Sequence, residues 1–206
     1  MTDWSSIKKL FLVSSLGLLL NTSGCVLEVF QSESSLISPL AIAKAEEEQS
    51  SQISVEGEKG NYVAELEVEG SLEKAWEVLT DYDNFENFIP NTVNSKIIEE
   101  NGNNLVFQQT NSIDLILLTQ EFVVQIAATK MPRQKIDFQM IEGDLGSLTG
   151  SWQIEQFSDR QVRIIHRVNV TPKSQGEALI FYPIYENSLE ETLEAIAEEI
   201  TKRSKT

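Results

Sequence analysis

The sequence predicts an α+β domain in which a seven-stranded antiparallel sheet curves around one long C-terminal helix. From residue 52 onward most apolar residues alternate with polar ones, which is the period of a half-buried strand. The final segment instead repeats its apolar residues at helical spacing. The strands follow one another too closely for crossover helices, so neighbouring strands should be antiparallel.

The domain is expected to open with one strand followed by a short helix. The stretch "ISVEGEKGNYVAELEVEG" carries the first strand, because its apolar residues from Tyr62 to Val68 alternate with polar ones. Gly70 ends this strand, and the hydroxyl of Ser71 is placed to cap a helix over residues 72–80.

A second short helix is expected directly after the first. Asp83 is followed three residues later by Glu86, which is the spacing of a capping box, and Pro90 ends the segment. Both short helices would therefore lie between strands 1 and 2 of the predicted sheet.

Six further strands and one long helix complete the predicted domain. The strands are bounded by turn residues such as "NGN". They are expected at 92–100, 104–112, 118–129, 134–142, 148–157 and 161–171. The closing segment "YENSLEETLEAIAEEITKR", residues 185–203, places its apolar residues on one side and its glutamates on the other. This amphipathic helix has one face to bury.

Strand alternation predicts which residues face the long helix. If Trp152 points inward, the same parity selects a largely apolar set on three neighbouring strands. The set is Leu148, Gly150, Ile154, Phe122, Val124, Ile126, Ile136, Phe138 and Met140. The small residues Gly150 and Ala127 predict some vacancy on this face, although a glycine inside a strand is also typical of a simple bend.

His166 is the single histidine of the chain, and its strand position predicts burial. In "VRIIHRVNV" it shares parity with four aliphatic residues, so the imidazole should lie among them. A general base in a reaction cavity would have this placement. A structural histidine bonded to a backbone carbonyl, to Tyr82 or to Tyr185 would have it too.

The first fifty residues are interpreted as an export signal and a linker. Two lysines precede "LFLVSSLGLLL", a predominantly apolar run of eleven residues that suits a signal peptide and is too short to span a bilayer. "NTSGC" before Cys25 resembles a lipoprotein cleavage site, with Thr22 where an aliphatic residue is usual. We expect a signal peptide at 1–25, lipidation of Cys25 and a flexible linker at 26–51.

Two alternatives remain open for this segment. "AIAKAEEE" offers a second cleavage site ending at Ala45, which would release a soluble protein, and an uncleaved anchor is the third possibility. With cleavage at either Cys25 or Ala45, the protein is exported to the periplasm or a comparable envelope or lumenal compartment. The folded domain is expected to occupy residues 52–206.

Composition narrows the function classes. Sixteen basic residues against thirty-two acidic ones give a net charge of −16, so nucleic acid is not an expected partner. One cysteine and one histidine cannot form a Cys/His zinc site within the chain, and no phosphate-loop, dinucleotide or hydrolase motif is present. We expect a monomer without metal or cofactor.

Three parts of the chain together resemble a known family. "SLEKAWEVLTDYDNFENFIPN", "MIEGDLGSLTGSWQIEQ" and the closing helix look like the START-like polyketide cyclase/dehydrase family of the SRPBCC superfamily, which includes coenzyme-Q-binding START-type proteins. The resemblance covers about residues 61–203. The chain departs from the pattern at Gly70-Ser71, where members often have a proline before the first helix.

The resemblance implies a helix-grip fold with a deep apolar cavity between the sheet and the long helix. In such a fold the two short helices cover one end of the groove, so Tyr82, Phe85, Phe88 and Ile89 are candidates for a lid. The alternative is that these aromatic residues only pack the helices onto the sheet. The family has no universal catalytic residue, so no reaction is implied.

The leading hypothesis is an exported, membrane-tethered binder or carrier of a hydrophobic small molecule such as a lipid, a quinone or a polyketide-like compound. The candidate ligand contacts are Tyr82, Phe85, Phe88, Phe122, Val124, Phe138, Met140, Trp152, His166, Tyr185 and Leu189. One alternative is an aromatase/cyclase-type enzyme that uses His166. Another is a protein-interaction module whose cavity is collapsed.

Overall fold

The computed structural model describes residues 51–115 and 118–205. The predicted signal peptide, Cys25 and Ala45 lie outside the described residues. Neither described helix has a segment both long enough and apolar enough to cross a membrane.

Eight strands form one antiparallel sheet in the order β1-β2-β8-β7-β6-β5-β4-β3. They are β1 (Gln52–Glu58), β2 (Asn61–Glu69), β3 (Thr92–Asn101), β4 (Asn104–Leu115), β5 (Leu118–Met131), β6 (Lys135–Gly143), β7 (Ser147–Ser158) and β8 (Gln161–Thr171). Helix α1 (Leu72–Leu79) and a 3-10 helix (Tyr82–Asn87) lie between β2 and β3, and helix α2 (Ala178–Ser204) ends the fold. The predicted class, a sheet with a long C-terminal helix, is confirmed.

The prediction of seven strands was wrong, because the segment taken as the first strand is a hairpin of two. Lys59 and Gly60 form its two-residue turn with φ of 52° and 90°. Left-handed conformations at both turn positions match the twist of the flanking strands. A side chain at position 60 would also come within 2.0 Å of the Val170 carbonyl oxygen, so the turn requires glycine. The short helices consequently follow the second strand rather than the first.

The first short helix begins as predicted and the second does not. The Lys74 backbone N–H donates to Ser71 Oγ at 3.2 Å, which confirms the cap of α1. The predicted capping box at Asp83 and Glu86 is wrong, because both carboxylates bind the neighbouring edge strand instead. Asp83 accepts from the Ile97 N–H at 2.7 Å and Glu86 from the Ser95 N–H at 2.9 Å. These bonds fasten the 3-10 helix to β3.

Helix α2 begins at Ala178 rather than at residue 185, and Pro183 lies inside it. Proline lacks an N–H and is usually a helix breaker, which is why the sequence pattern placed the start too late. Within the helix Leu193 and Ile200 are fully buried, whereas Leu179 and Ile180 near its start are 86% and 61% exposed. The C-terminal half of α2 is therefore the part that closes the core.

The C-terminal end of α2 is held to the short helices by Arg203. Its guanidinium donates to Asp81 at 2.7 Å and to Glu199 at 2.8 Å, and it lies 5.5 Å from the centre of the Phe88 ring. Because these groups are only partly exposed, the ion pairs are less screened than surface pairs. This contact fixes the segment that covers one end of the groove.

The inward parity predicted for the strands is largely confirmed. Most aliphatic residues of that parity on β5 to β8 are buried, and Leu148 is half-buried. They include Val124, Ile126, Ile136, Ile154, Val162, Ile164, Val168 and Val170. The two small residues that were expected to leave space on this face, Ala127 and Gly150, do not do so. Ala127 pairs with Gln139 on the opposite face, and the inward small residue of β5 is Ala128.

Gly150 points inward, but the space beside it is occupied. It pairs directly with Phe138, and a Cβ placed on it would lie 2.6 Å from that ring and 2.3 Å from the Arg167 carbonyl oxygen. The space beside Gly150 is filled by the phenyl ring and the neighbouring backbone. Glycine at this position therefore serves packing.

We predict that Gly150→Ala lowers the free energy of unfolding by about 1–3 kcal/mol, because the methyl group overpacks a rigid site. Gly176→Ala is the matched control, since its new Cβ would have only Ser174 Oγ within 4.0 Å. The measurement is chemical denaturation of both variants and the wild type. Equal stability of the two variants would contradict this account of Gly150.

Candidate ligand-binding cavity

Two adjoining cavities lie between the concave face of the sheet and α2. The inner chamber has a volume of about 170 Å³ and the outer chamber one of about 390 Å³. They share four lining residues, Gln109, Ile126, Leu148 and Tyr185, so together they form one groove. This groove runs from the interior of the fold toward the start of α2.

The inner chamber is walled by aromatic and aliphatic side chains from both short helices, the sheet and α2. Aromatic residues form much of this wall. They are Tyr82, Phe85, Phe107, Phe138, Trp152 and Tyr185. The Tyr82 ring lies 4.6 Å from that of Phe107 and 5.3 Å from that of Phe85 between centres. The 3-10 helix and the residues flanking it thus form the wall at one end of the chamber and also pack against the core.

His166 lies in the wall of the inner chamber with only 4% of its surface exposed. Its ring stacks on Trp152 at 3.7 Å between centres and faces Phe138 at 5.8 Å. Burial lowers the pKa of His166 to about 3, although a hydrogen bond with the Ser151 backbone acts in the opposite direction. The imidazole is therefore neutral at physiological pH, and its Nδ1 atom has no hydrogen-bond partner.

Two tyrosines also line the inner chamber. Tyr82 is 4% exposed and its hydroxyl has no hydrogen-bond partner. Tyr185 borders both chambers and stacks on Phe181 and Tyr62, with ring centres 5.6 and 5.9 Å away. Burial raises the pKa of both lining tyrosines above the ordinary value of a phenol, so both hydroxyls remain protonated.

The two chambers differ in polarity. Among the described residues that line the inner chamber, none is an aspartate, glutamate, lysine or arginine. The outer chamber carries several neutral polar side chains and one carboxylate, that of Glu191. The Gln109 amide donates to Thr92 Oγ1 and to Asn111 Oδ1, both at 2.9 Å, so part of this polar wall is already satisfied within the protein. The groove therefore has an apolar, uncharged inner end and a more polar outer end.

Eight of the eleven predicted ligand contacts line one or both chambers. Five of them line the inner chamber, namely Tyr82, Phe85, Phe138, Trp152 and His166. Phe122 and Val124 line the outer chamber, and Tyr185 lines both. Phe88, Met140 and Leu189 line neither chamber and pack against the core instead.

Several lining residues were not anticipated. Phe107 and Gln109 of β4 face the groove because they pair with Ile126 and Val124 of β5. The alternation of Leu105, Phe107 and Gln109 with their neighbours along β4 could have indicated this shared face. Phe181 and Ile184 of α2 line the outer chamber but precede the predicted start of that helix, so helical spacing gave no indication of them.

The arrangement suits an uncharged apolar ligand. An apolar ligand gains free energy from burial against the aromatic walls, whereas a charged group would be desolvated without a counter-charge in the inner chamber. No group of three or more His, Cys, Asp and Glu side chains that could hold a metal ion was found among the described residues.

Comparisons with solved structures support the fold at low sequence identity. The Zhui aromatase/cyclase from Streptomyces sp. R1128 is 17% identical with a TM-score of 0.61, over 69% of this chain and 94% of that one. The STAR-related lipid transfer protein from Xanthomonas axonopodis is 13% identical with a TM-score of 0.57, over 73% and 98%. A START superfamily protein from Mycobacterium smegmatis is 16% identical with a TM-score of 0.54, over 69% and 95%.

Comparison with curated protein sequences found no match. The family described as "Polyketide cyclase / dehydrase and lipid transport" matches residues 68–197, from the second strand to the long C-terminal helix. That match spans more than half of the chain and agrees with the family resemblance carried by the sequence motifs. The chain therefore belongs to the polyketide cyclase/dehydrase and lipid transport family.

Proposed function

We propose that this protein binds and carries a hydrophobic small molecule in the groove between its sheet and α2. The observation that supports this proposal best is the inner chamber, a largely apolar space of about 170 Å³ that shares four lining residues with a larger outer one. A ligand that buries about 300 Å² of apolar surface there would gain roughly 7.5 kcal/mol from burial, of which the surplus over the entropic cost of association appears as affinity.

The aromatase/cyclase alternative depends on His166 as a general base. A base works best when its pKa lies near the operating pH, and burial lowers the pKa of His166 to about 3. The chamber also provides no carboxylate, among its described lining residues, to orient the ring or to stabilise an imidazolium. These features favour a binding role for the groove over acid–base catalysis.

The interaction-module alternative requires a cavity that protein side chains fill. The inner and outer chambers instead remain open beside well-packed core residues such as Leu193 and Ile164. An apolar groove inside a folded domain is typical of small-molecule sites. We therefore place ligand binding ahead of protein docking.

We also propose that the domain is exported and tethered to a membrane through a lipid on Cys25. This proposal rests on the sequence alone, because the apolar run ends shortly before "NTSGC". A tether of this kind would keep the groove near a membrane that supplies or receives an apolar ligand.

We predict that Ala128→Phe abolishes binding of an uncharged fluorescent probe, N-phenyl-1-naphthylamine, that the wild type binds saturably. Ala128 lines the inner chamber, so a phenyl ring there occupies the ligand volume. Ala127→Phe is the matched control, because Ala127 is the neighbour of Ala128 in sequence but points to the opposite face of β5. Fluorescence titration and circular dichroism of each variant provide the measurement.

A second variant protects this test against misfolding. Thr192→Trp fills the same chamber from the helix side, without changing the sheet. If the wild type binds no probe, or if the folded filled variants bind it as tightly as Ala127→Phe does, the carrier proposal is wrong.

The buried histidine gives a defined pH dependence of stability. Its pKa is about 3 in the folded state and near 6.5 in the unfolded state, so the unfolded state takes up a proton first as the pH falls. This group is therefore expected to lower the free energy of unfolding by about 2 kcal/mol between pH 7 and pH 5. Tyr82 and Tyr185, the other titratable groups of the chamber, stay protonated throughout this range.

His166→Phe should remove this dependence while keeping a ring between Trp152 and Phe138. The difference in unfolding free energy between wild type and variant, measured at pH 7 and at pH 5, isolates the contribution of the histidine. A difference that is the same at both pH values would show that the imidazole is not buried in neutral form.

For the tether, we expect a radioactive fatty acid to label the wild type and not Cys25→Ala when each is expressed in a bacterial host. Membrane fractionation should show the same contrast. Equal or absent labelling in both proteins would refute the lipid anchor and favour cleavage near Ala45.

A further inference from the structure

A third cleft lies beside the outer chamber, and the carrier proposal does not use it. It has a volume of about 430 Å³, and its walls come from the end of β4, the start of β5, the β6–β7 turn and the start of α2. We call it the side cleft. It shares part of its apolar wall with the outer chamber, namely Ile113, Phe122, Leu145, Phe181 and Ile184.

The apolar wall of the side cleft continues onto exposed surface at the start of α2. Ile180 lines the cleft and is 61% exposed, and Leu179, its neighbour in sequence, is 86% exposed. Single exposed apolar side chains are ordinary on a protein surface. Two adjacent ones beside an apolar cleft form a larger patch, which is typical of an interaction site.

Exposed carboxylates surround this apolar surface. Glu121, Asp144 and Glu177 all line the side cleft and are exposed. Among its described lining residues Lys173 is the one cation, and its ammonium group is already paired with Asp144 at 3.0 Å. Within the part of the chain that the structure describes, Glu121 and Glu177 have no ion-pair partner, and Glu177 accepts only a hydrogen bond from the Ser174 hydroxyl at 2.9 Å. Two carboxylates of the cleft therefore remain available to a cationic partner.

The negative charge extends beyond the cleft along α2. Residues 174–201 contain seven glutamates and neither lysine nor arginine. Glu186 and Glu190, which follow the patch on this helix, are both exposed. A surface with one sign of charge over such a length attracts partners of the opposite charge from a distance. The start of α2 thus combines an apolar patch with an acidic surround.

This combination decides between the kinds of partner that could cover the patch. The carboxylates would repel the surface of an anionic bilayer. A small molecule held in the cleft would leave Leu179 exposed, because Leu179 does not line it. A protein segment with apolar residues on one side and lysine or arginine around them complements both the patch and its charge.

We propose that the side cleft and Leu179 dock a basic amphipathic segment of another protein. Its apolar side chains contact Leu179 and Ile180, and its lysines or arginines lie beside Glu121 and Glu177. Because exposed ion pairs are weak, the apolar contact supplies most of the affinity, and the carboxylates supply charge selectivity and a faster association rate. The inference goes beyond the carrier proposal and does not depend on it, since these four residues line neither chamber.

A defined peptide tests the docking site directly. The probe is a fluorescently labelled synthetic peptide in which leucine and lysine are spaced as an amphipathic helix, and its control has glutamate in place of lysine. The protein is the full chain with Cys25→Ala, so that no lipid on Cys25 contributes an anchor. We expect saturable binding of the lysine peptide by fluorescence anisotropy, and binding of the glutamate peptide at least about tenfold weaker.

A first pair of variants tests the apolar contact. Leu179→Ser combined with Ile180→Ser should weaken binding of the lysine peptide at least about tenfold, because the apolar area of the patch is lost. The matched control is Ile98→Ser combined with Met131→Ser. These two side chains are 54% and 44% exposed, on the edge strand β3 and at the end of β5 opposite to Glu121. The control should bind the peptide as the wild type does, and circular dichroism verifies the fold of both variants.

A second pair tests the charge. Glu121→Gln combined with Glu177→Gln should weaken binding about three- to tenfold at low salt, and the difference should disappear near 1 M salt, where the screening length is about 3 Å. Glu194→Gln combined with Glu198→Gln is the matched control. It removes the same charge from exposed positions of α2 that do not line the cleft, and should change the affinity less than about twofold.

Equal binding of the two peptides, or equal behaviour of the cleft variants and their distant controls, would refute the docking site. Two other results would assign the patch differently and overturn the proposal as well. One is sedimentation of the wild type with phosphatidylcholine vesicles without peptide binding, when Leu179→Ser with Ile180→Ser abolishes that sedimentation. The other is a wild-type dimer in analytical ultracentrifugation that the same substitutions dissociate. The carrier proposal stands or fails separately, on the binding of N-phenyl-1-naphthylamine, which these variants should leave unchanged.

Discussion

The structure depends on one constraint, which is that one long helix and two short ones must cover the concave apolar face of an eight-stranded sheet. Strand alternation places the apolar residues of all neighbouring strands on that face. The C-terminal half of α2 packs against it closely enough to bury Leu193 and Ile200 completely, whereas Phe181 and Ile184 at the other end border open space. The groove is the part of the apolar face that the helix cannot reach, and its position follows from where α2 is seated.

The absence of charge among the described residues of the inner wall determines the protonation of the groups within it. Burial is the main reason that His166 stays deprotonated and both lining tyrosines stay protonated, and the charge of Glu100 adds to this effect by raising the pKa of Tyr82. The same property disfavours a charged ligand in the inner chamber, since an ionised group there would lose its hydration without gaining a counter-charge. The outer end of the groove differs because its lining includes several neutral polar side chains and the carboxylate of Glu191.

Much of this fold could be predicted from the sequence, because alternation and helical spacing report burial directly. The six later strands, the cap at Ser71 and the burial of His166 all follow from local pattern. The wrong predictions concern side chains whose contacts are made with residues distant in the sequence. Asp83 and Glu86 bind β3 rather than their own helix, and Gly150 accommodates Phe138 from the next strand. The start of α2 was missed because packing overrides the local effect of Pro183. The vacancy of the groove is likewise a property of three-dimensional packing, which no single segment encodes.

The bonds between the 3-10 helix and β3 have a consequence for how the sheet ends. β3 is an edge strand, and an edge strand offers unpaired N–H groups that can recruit a strand from another molecule. The carboxylates of Asp83 and Glu86 occupy two of these groups, those of Ile97 and Ser95. Strand addition at this position would have to displace two charge-assisted bonds and detach the segment that closes the inner chamber. Protection against intermolecular β-sheet growth and closure of the chamber are therefore performed by the same two side chains.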